Sequence, residues 1–176
     1  MGPAHFGIAF AAKPTAPKLP LLVLLAASVA LDLLSFGFIA LGIERAGQSR
    51  ISLEGGLQLV VPGLVPWSHG LFMALLWSLL FAGLAYLTYR DRRTSAILGM
   101  VVFSHWVLDF IVHSADLPLL FEGSATVGLG MWASGPGFIA SLVLEFALLA
   151  GGIAIYLVAR KRRLTAWAKG VLRDAN

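Results

Sequence analysis

The chain has no cysteine and few charged residues. Only 12% of its 176 residues carry a charge, whereas an average soluble domain has about 25%. The absence of cysteine excludes disulfides, thiolate metal ligands and a cysteine nucleophile. Because 59% of the residues are apolar and the mean hydropathy is +0.86, the composition also excludes an ordinary soluble domain and a disordered chain.

Lysine and arginine are absent from four long apolar runs, which cover 20–43, 69–89, 95–113 and 137–159. Each run has about 19–24 residues, enough to cross about 30 Å of hydrocarbon as an α-helix. The alternating pattern of a membrane β-strand is missing from them. We therefore predict an all-α integral membrane protein, with four transmembrane helices bundled into a single membrane domain over 1–176.

The distribution of lysine and arginine predicts the orientation of this bundle. Eleven of these residues lie in the N-terminal segment, in the loop at 90–94 and in the tail, on one side of the predicted spans. The loop at 44–68 has two, and the loop at 114–136 has none. By the positive-inside rule, both termini are expected in the cytoplasm.

The two ends of the chain are less regular than the spans. Residues 1–19 are predicted to form an interfacial segment and a proline-rich linker. Within them, 4–12 is too short to span, and it either lies on the interface or folds back into the bundle. Residues 160–176 form a basic amphipathic tail, which is either a helix on the anionic inner leaflet or a plain stop-transfer segment.

Ionisable residues inside the predicted spans carry the functional signal. A charged side chain at the bilayer centre costs roughly 3 kcal/mol, and no lysine or arginine lies in these spans to compensate the carboxylates. The carboxylates are therefore protonated, paired with cationic histidines, or bound to a metal ion. The residues concerned are Asp32, His69, His105, Asp109, His113 and Glu145.

The spacing in the third span favours a metal ion. His105, Asp109 and His113 are four residues apart, so a continuous helix would stack them along one face. Two side chains at this spacing can converge on one ion, as in helical zinc motifs. His69 and the deep carboxylate of Asp32 add further donors. The alternatives are a proton or ion pathway and structural polar contacts between helices.

Two segments, WSHGLFMALLW at 67–77 and SHWVLDFIVHSADLPLL at 104–120, resemble the membrane-bound metal-dependent hydrolase family. This family is also described as LexA-binding inner-membrane hydrolases. His5, Asp32 and the Ser68-His69 step look like further elements of its pattern. The resemblance covers most of 5–120, and it implies a location in a bacterial inner membrane.

The sequence departs from the family pattern at two places. The acidic motif usually has two acids and a histidine, but only Asp32 is present here. The residues Val65-Pro66-Trp67 replace the usual His-Arg-Gly. These departures leave open a reduced site, a different metal, or a relative that has lost catalysis.

The residues and the resemblance together predict the composition of the site. The predicted metal ligands are His69, His105, Asp109, Asp32 and His5, the last only if 4–12 re-enters the bundle. Imidazole and carboxylate donors favour a divalent ion, with zinc first and manganese or iron as alternatives. The residues predicted to act as general base, or to orient a ligand, are Asp116, His113 and Glu145.

The resulting hypothesis is a membrane-embedded, metal-dependent hydrolase of a lipid-like or amphiphilic substrate, acting through a metal-activated water. The alternatives are a proton or cation pathway, a transporter component, and a non-catalytic accessory subunit of a larger complex. Membrane lipids are expected partners, and a homo-oligomer or a complex partner is compatible with the pattern. Nucleic acid is not expected, because the basic residues follow the membrane boundary.

Overall fold

The computed structural model describes residues 2–45, 47–52, 58–63 and 65–174. This part of the chain is mostly helical, as predicted, with two short antiparallel hairpins that were not predicted. A 3₁₀ turn at Met131–Ala133 precedes the last helix. The elements are, in chain order, α1 (Ala4–Ala12), α2 (Leu21–Ser28), α3 (Ala30–Ala40), β1 (Gly47–Ser52), β2 (Gln58–Gly63), α4 (Pro66–His69), α5 (Leu71–Tyr89), α6 (Arg92–Val112), β3 (Leu117–Pro118), β4 (Thr126–Val127) and α7 (Gly135–Asp174).

In the described part of the chain, three helices are long and apolar enough to cross a membrane, namely α5, α6 and α7 as far as Ala168. A fourth span exists if α2 and α3 are counted as one bent pair. Helices of this length and composition support the assignment of the chain to the helical membrane proteins. The fourth span and the cytoplasmic termini remain predictions. The N-terminal segment does not begin at the level of the basic tail, because Gly2 packs against Glu145, fifteen residues before Arg160 on α7.

The prediction of one continuous helix over 20–43 is wrong, because the chain breaks at Val29. There the backbone leaves the helical region, with φ −117° and ψ 19°, and α3 is bent by 59° relative to α2. The hydroxyl of Ser28 donates to the carbonyl of Leu25 at 2.8 Å. Side-chain bonding of this kind within a helix is a known cause of bending. The second segment ends at Ala40 and is followed by Gly42 at φ +72°.

Two further helix boundaries differ from the prediction. The third span begins at Arg92 and not at 95, because Asp91 caps it: the carboxylate of Asp91 accepts from the amide of Arg93 and from the hydroxyl of Thr94. The fourth span and the predicted tail are one helix, since α7 runs to Asp174 without a break at 160. The last two tail residues lie outside the described part of the chain.

The first helix lies inside the bundle. Residues 4–12 therefore fold back into the bundle, as one of the two predictions has it, and do not lie on the membrane interface. Helix α1 is about 14 Å long by helical rise and runs parallel to α7. A Cβ on Gly152 would lie 2.0 Å from the carbonyl oxygen of Gly7. A Cβ on Gly7 would lie 2.4 Å from the carbonyl oxygen of Leu148. Only glycine permits this approach of the two backbones, as in other small-residue helix contacts in membranes.

The core lies around α6, which is the most buried of the long helices. Leu24 and Leu31 of the bent pair pack in one cluster with Val102 and Trp106 of α6. Trp106 is stacked between two phenylalanine rings of its own helix. In contrast, α5 and α7 expose many large apolar side chains, which are suited to contact with lipid.

Candidate metal centre

Five buried side chains from four helices converge in the interior. His5 comes from α1, Asp32 from α3, His69 from the end of α4, and His105 with Asp109 from α6. Their donor atoms form two overlapping groups, in each of which all the atoms lie within 4.8 Å of one another. The structure therefore brings together all five residues predicted as metal ligands.

The distances between the imidazole and carboxylate atoms fall in a narrow range. His105 Nε2 lies 3.3 Å from Asp32 Oδ2 and 3.2 Å from Asp109 Oδ2. His69 Nε2 lies 3.3 Å from Asp32 Oδ1 and 3.6 Å from Asp109 Oδ2. His5 Nε2 lies 3.5 Å from Asp109 Oδ1. His69 and His105 thus point their Nε2 atoms towards both carboxylates, and His5 points its Nε2 atom towards Asp109.

The other ring nitrogen of each histidine is held from behind. Nδ1 of His5 donates to the carbonyl of Gly2 at 3.0 Å, and Nδ1 of His105 donates to the carbonyl of Ser28 at 2.8 Å. A carbonyl can only accept, so Nδ1 carries the proton and the Nε2 of a neutral ring carries a lone pair. This is the arrangement found behind histidines that bind metals.

The helix break at Val29 contributes directly to this arrangement. The carbonyl of Ser28 belongs to the last turn of α2, where carbonyls have no partner within the helix, and it accepts the proton of His105. On the other side of the break, Asp32 lies in the first turn of α3. The positive end of the helix dipole favours a carboxylate there. The helix break at Val29 therefore both orients His105 and stabilises the carboxylate of Asp32.

His69 is held by a side-chain relay that the sequence did not reveal. Its Nδ1 lies 2.8 Å from Ser68 Oγ, which in turn lies 3.0 Å from Glu44 Oε2. An ionised carboxylate only accepts, so the serine hydroxyl donates to Glu44 and accepts from His69. Glu44 Oε1 also accepts from the backbone amides of Trp67 and Ser68 at 2.7 and 2.9 Å. Glu44 thereby caps the short helix α4.

Gly70 allows α4 to turn into α5 immediately after His69. A Cβ at this position would lie 2.5 Å from the carbonyl oxygen of Pro66 and 2.6 Å from that of Leu120. Glycine is therefore required by close packing, although its backbone angles are ordinary. The turn leaves the His69 side chain at the end of α4, facing the cluster.

Four polar atoms of the cluster are buried without a hydrogen-bond partner in the described structure. They are Nε2 of His5 and His105, Oδ2 of Asp32 and Oδ1 of Asp109. Unpaired buried polar atoms are rare in folded proteins, and each requires an explanation. A bound cation supplies one, because it would bind the nitrogen lone pairs and the carboxylate oxygens together.

The charges and distances of the cluster fit a divalent cation. If both carboxylates are ionised and the three imidazoles are neutral, as metal ligands must be, the cluster carries two negative charges, which one divalent ion would balance. Nitrogen and oxygen ligands about 2.0–2.1 Å from zinc lie about 3.3 Å apart at the corners of a tetrahedron. The observed nitrogen–oxygen distances are 3.2–3.6 Å. The buried His/Asp group could therefore hold a metal ion.

His113 and Asp116 were predicted as general-base candidates, and the structure places them together as a separate pair. His113 Nδ1 lies 3.2 Å from Asp116 Oδ1, and the His113 ring packs against Trp132. Within the described residues, neither belongs to a group of three metal-donor atoms. The predicted stripe stops at Asp109 because α6 ends at Val112. The backbone of His113 is already extended, with ψ 147°.

Glu145, the third predicted base, lies beside the cluster on α7. Its carboxylate packs against Gly2, where an added Cβ would lie 1.1 Å from Oε2. Glu145 and His5 line the same small cavity of about 10 Å³, which is about the minimum for one water molecule. Glu145 is thus next to one predicted ligand and is buried.

A larger cavity of about 490 Å³ lies on the far side of the Glu44 relay. Glu44, Arg45 and Trp67 line one part of it, and Phe121 and Glu122 of the 114–136 loop line another. The short strands β3 and β4 fold this loop back on itself, and the amide of Phe72 donates to the carbonyl of Leu119. The loop therefore covers the end of the bundle near the relay.

Comparison with family models, with curated proteins and with solved structures finds no match for this chain. The resemblance to the metal-dependent hydrolases therefore rests on the residues quoted for it and stays a prediction.

Proposed function

We propose that this protein is a membrane-embedded, metal-dependent hydrolase that acts on a lipid-like or amphiphilic substrate. The observation that carries the proposal is the convergence of five buried donors, four of whose atoms have no hydrogen-bond partner in the described structure. His5, Asp32, His69, His105 and Asp109 would hold the ion, for which zinc is the first candidate and manganese or iron the alternatives. A bound ion of this kind supplies a Lewis acid and lowers the pKa of water.

The residues of the chain have distinct roles in this proposal. The backbone carbonyls behind His5 and His105, together with the Glu44–Ser68 relay behind His69, hold the imidazoles in the required tautomer. Glu145 is the candidate to accept or return a proton, because it shares a cavity with His5. His113 and Asp116 remain predicted bases. They are weaker candidates than Glu145, because they form a pair with each other outside the cluster.

The position of the cluster along the helices supports an amphiphilic substrate. Glu145 lies fifteen residues before Arg160 on α7, which is about 22 Å of helix. With the basic end of α7 at the cytoplasmic surface of a bacterial inner membrane, the cluster lies in the outer half of the bilayer.

Metal analysis of the purified protein tests the proposal. We expect near-stoichiometric metal by elemental mass spectrometry in the wild type, and loss of metal in His105→Ala and Asp109→Asn. His113→Ala is the matched control, since it removes the one histidine that lies outside the cluster. Far-ultraviolet circular dichroism and size-exclusion profiles establish that each variant is folded.

The hydrolase part has its own test on the metal-loaded protein. We expect product release from at least one member of a panel of phosphoester and acyl-ester lipids, with turnover lost and metal retained in Glu145→Gln. Absence of metal after reconstitution with zinc or manganese would overturn the whole proposal. The alternative functions of the buried cluster would then be proton or cation transfer, or assembly with a membrane partner. Metal without turnover would overturn only the hydrolase assignment.

A further inference from the structure

A separate cavity, of about 280 Å³, lies between the end of α1 and the middle of α7. Its charged lining residues are all basic, namely Lys13, Arg160 and Arg163, and Tyr156 forms part of its wall. In the described part of the chain, none of these three cations forms an ion pair. Three positive charges therefore face one cavity without a carboxylate to balance them.

The packing of α1 against α7 explains why this cavity exists. The two backbones touch at Gly7 and Gly152, and the Phe10 and Tyr156 rings pack at 5.8 Å one turn further on. Beyond these contacts α1 ends at Ala12, and the chain leaves in a proline-rich linker while α7 continues. The space between the linker and α7 is the cavity.

Two of the cations are held in place by the linker. Lys13 Nζ donates to the carbonyls of Pro17 and Leu19, and Arg163 Nη2 donates to the carbonyl of Pro14 at 2.8 Å. An ammonium group has three donors and a guanidinium group has five, so both retain donors for a ligand. The cavity thus presents positioned, unpaired cationic donors, the arrangement that suits a phosphate group.

The position of the cavity along α7 indicates where the phosphate comes from. The apolar part of α7 ends at Ala159, immediately before the first of the two arginines. On the adjoining turn Tyr156 and Ala159, which line the cavity, continue its wall along this apolar part. A ligand in this position has an anionic group beside the arginines and hydrocarbon along the helix, which describes a phospholipid.

We propose that the cavity between α1 and α7 binds the phosphate of an anionic phospholipid, with Lys13, Arg160 and Arg163 as its ligands. Basic cavities between membrane helices on the cytoplasmic side are suited to such headgroups. The inference is independent of the metal centre and of the proposed reaction. It assigns to this end of α1 a lipid contact that helps to hold the helix in the bundle.

Lipid retention in native mass spectrometry tests this proposal. The protein is exchanged from micelles that contain equal amounts of phosphatidylglycerol and phosphatidylcholine, and the bound lipids are counted. We expect the double variant Arg160→Gln/Arg163→Gln to retain phosphatidylglycerol about thirtyfold more weakly than the wild type, which corresponds to about 2 kcal/mol.

The matched control is the double variant Lys161→Gln/Arg162→Gln. It removes the same two charges from the same turn of α7, at positions that do not line the cavity. We expect it to retain phosphatidylglycerol within about threefold of the wild type, since general surface attraction is weak within detergent and salt. Equal losses in both double variants would overturn the site in favour of diffuse attraction.

Inorganic phosphate distinguishes the two sources of the ligand. An excess of it should leave phosphatidylglycerol bound, because the acyl chains add apolar contacts that a free ion lacks. Displacement of the lipid by inorganic phosphate would overturn the lipid assignment and identify a site for free phosphate. Equal retention of phosphatidylcholine and phosphatidylglycerol by the wild type would also overturn it.

Discussion

Removal of the Ser68 hydroxyl tests whether the relay behind His69 matters for the metal centre. In Ser68→Ala, Glu44 keeps its two backbone bonds to α4, at 2.7 and 2.9 Å. The helix cap therefore survives, and the variant should fold. The Nδ1 atom of His69, however, loses its partner at 2.8 Å, and the imidazole is free to rotate or to change tautomer.

The magnitude follows from the burial of the serine, which is 0% exposed. A buried N–H without an acceptor costs about 1–3 kcal/mol. Loss of an outer hydrogen bond to a metal-binding histidine lowers metal affinity about 10- to 100-fold, which is about 1.4–2.7 kcal/mol. The free energy lost with the hydrogen bond and the free energy lost in metal binding therefore fall in the same range. We expect Ser68→Ala to weaken zinc binding within this range while metal stoichiometry at saturation is unchanged.

Competition with a chelator of known zinc affinity measures this change. The matched control is Ser104→Ala, because Ser104 also precedes a cluster histidine but its hydroxyl donates to the carbonyl of Val101 in its own helix. That variant should bind zinc as the wild type does. The reasoning is refuted if Ser68→Ala binds zinc with unchanged affinity, or if both serine variants lose affinity equally.

Two other predictions concern the scaffold. Gly152→Ala should lower the free energy of unfolding by about 1–3 kcal/mol, because its Cβ would lie 2.0 Å from a carbonyl oxygen of α1. The control is Gly151→Ala, whose Cβ would meet nothing within 4 Å and which should be neutral or stabilising by up to about 1 kcal/mol. Equal thermal midpoints of the two variants in detergent would contradict the prediction. The Thr94 hydroxyl, and then Lys18, lower the pKa of Asp91 below its ordinary value. Asp91 therefore stabilises the fold above about pH 4 and loses this effect as the pH falls through the lowered pKa. The advantage of the wild type over Asp91→Asn should shrink in acid, and a pH-independent difference in thermal midpoint would argue against it.

The residues of the buried His/Asp cluster could be predicted because ionisable side chains are costly in apolar helices. His105 and Asp109 share a helix face at a spacing of four, and Asp32 and His69 stand out against apolar neighbours. His5 was predicted only on condition that residues 4–12 re-enter the bundle. That condition depends on the contact between Gly7 and the distant Gly152, which no local pattern contains.

The features that the sequence did not predict depend on local irregularity or on distant partners. Periodicity assumes a continuous helix, so it placed His113 on the stripe, although α6 ends one residue earlier. The break at Val29 lies in an unbroken apolar run with no proline or glycine beside it. Glu44 was an ordinary loop acid in the sequence, since the helix that it caps begins more than twenty residues later.

The place of α1 has a consequence for the order of biosynthesis. His5 is made before every other cluster residue, but α1 is held against α7, which follows all the other described helices along the chain. During membrane insertion His5 therefore reaches its final position only after α7, the last of the described helices, has been made. The five-residue cluster is therefore complete only after α7 has entered the bilayer, and under the proposed function metal binding would occur only in the fully assembled bundle.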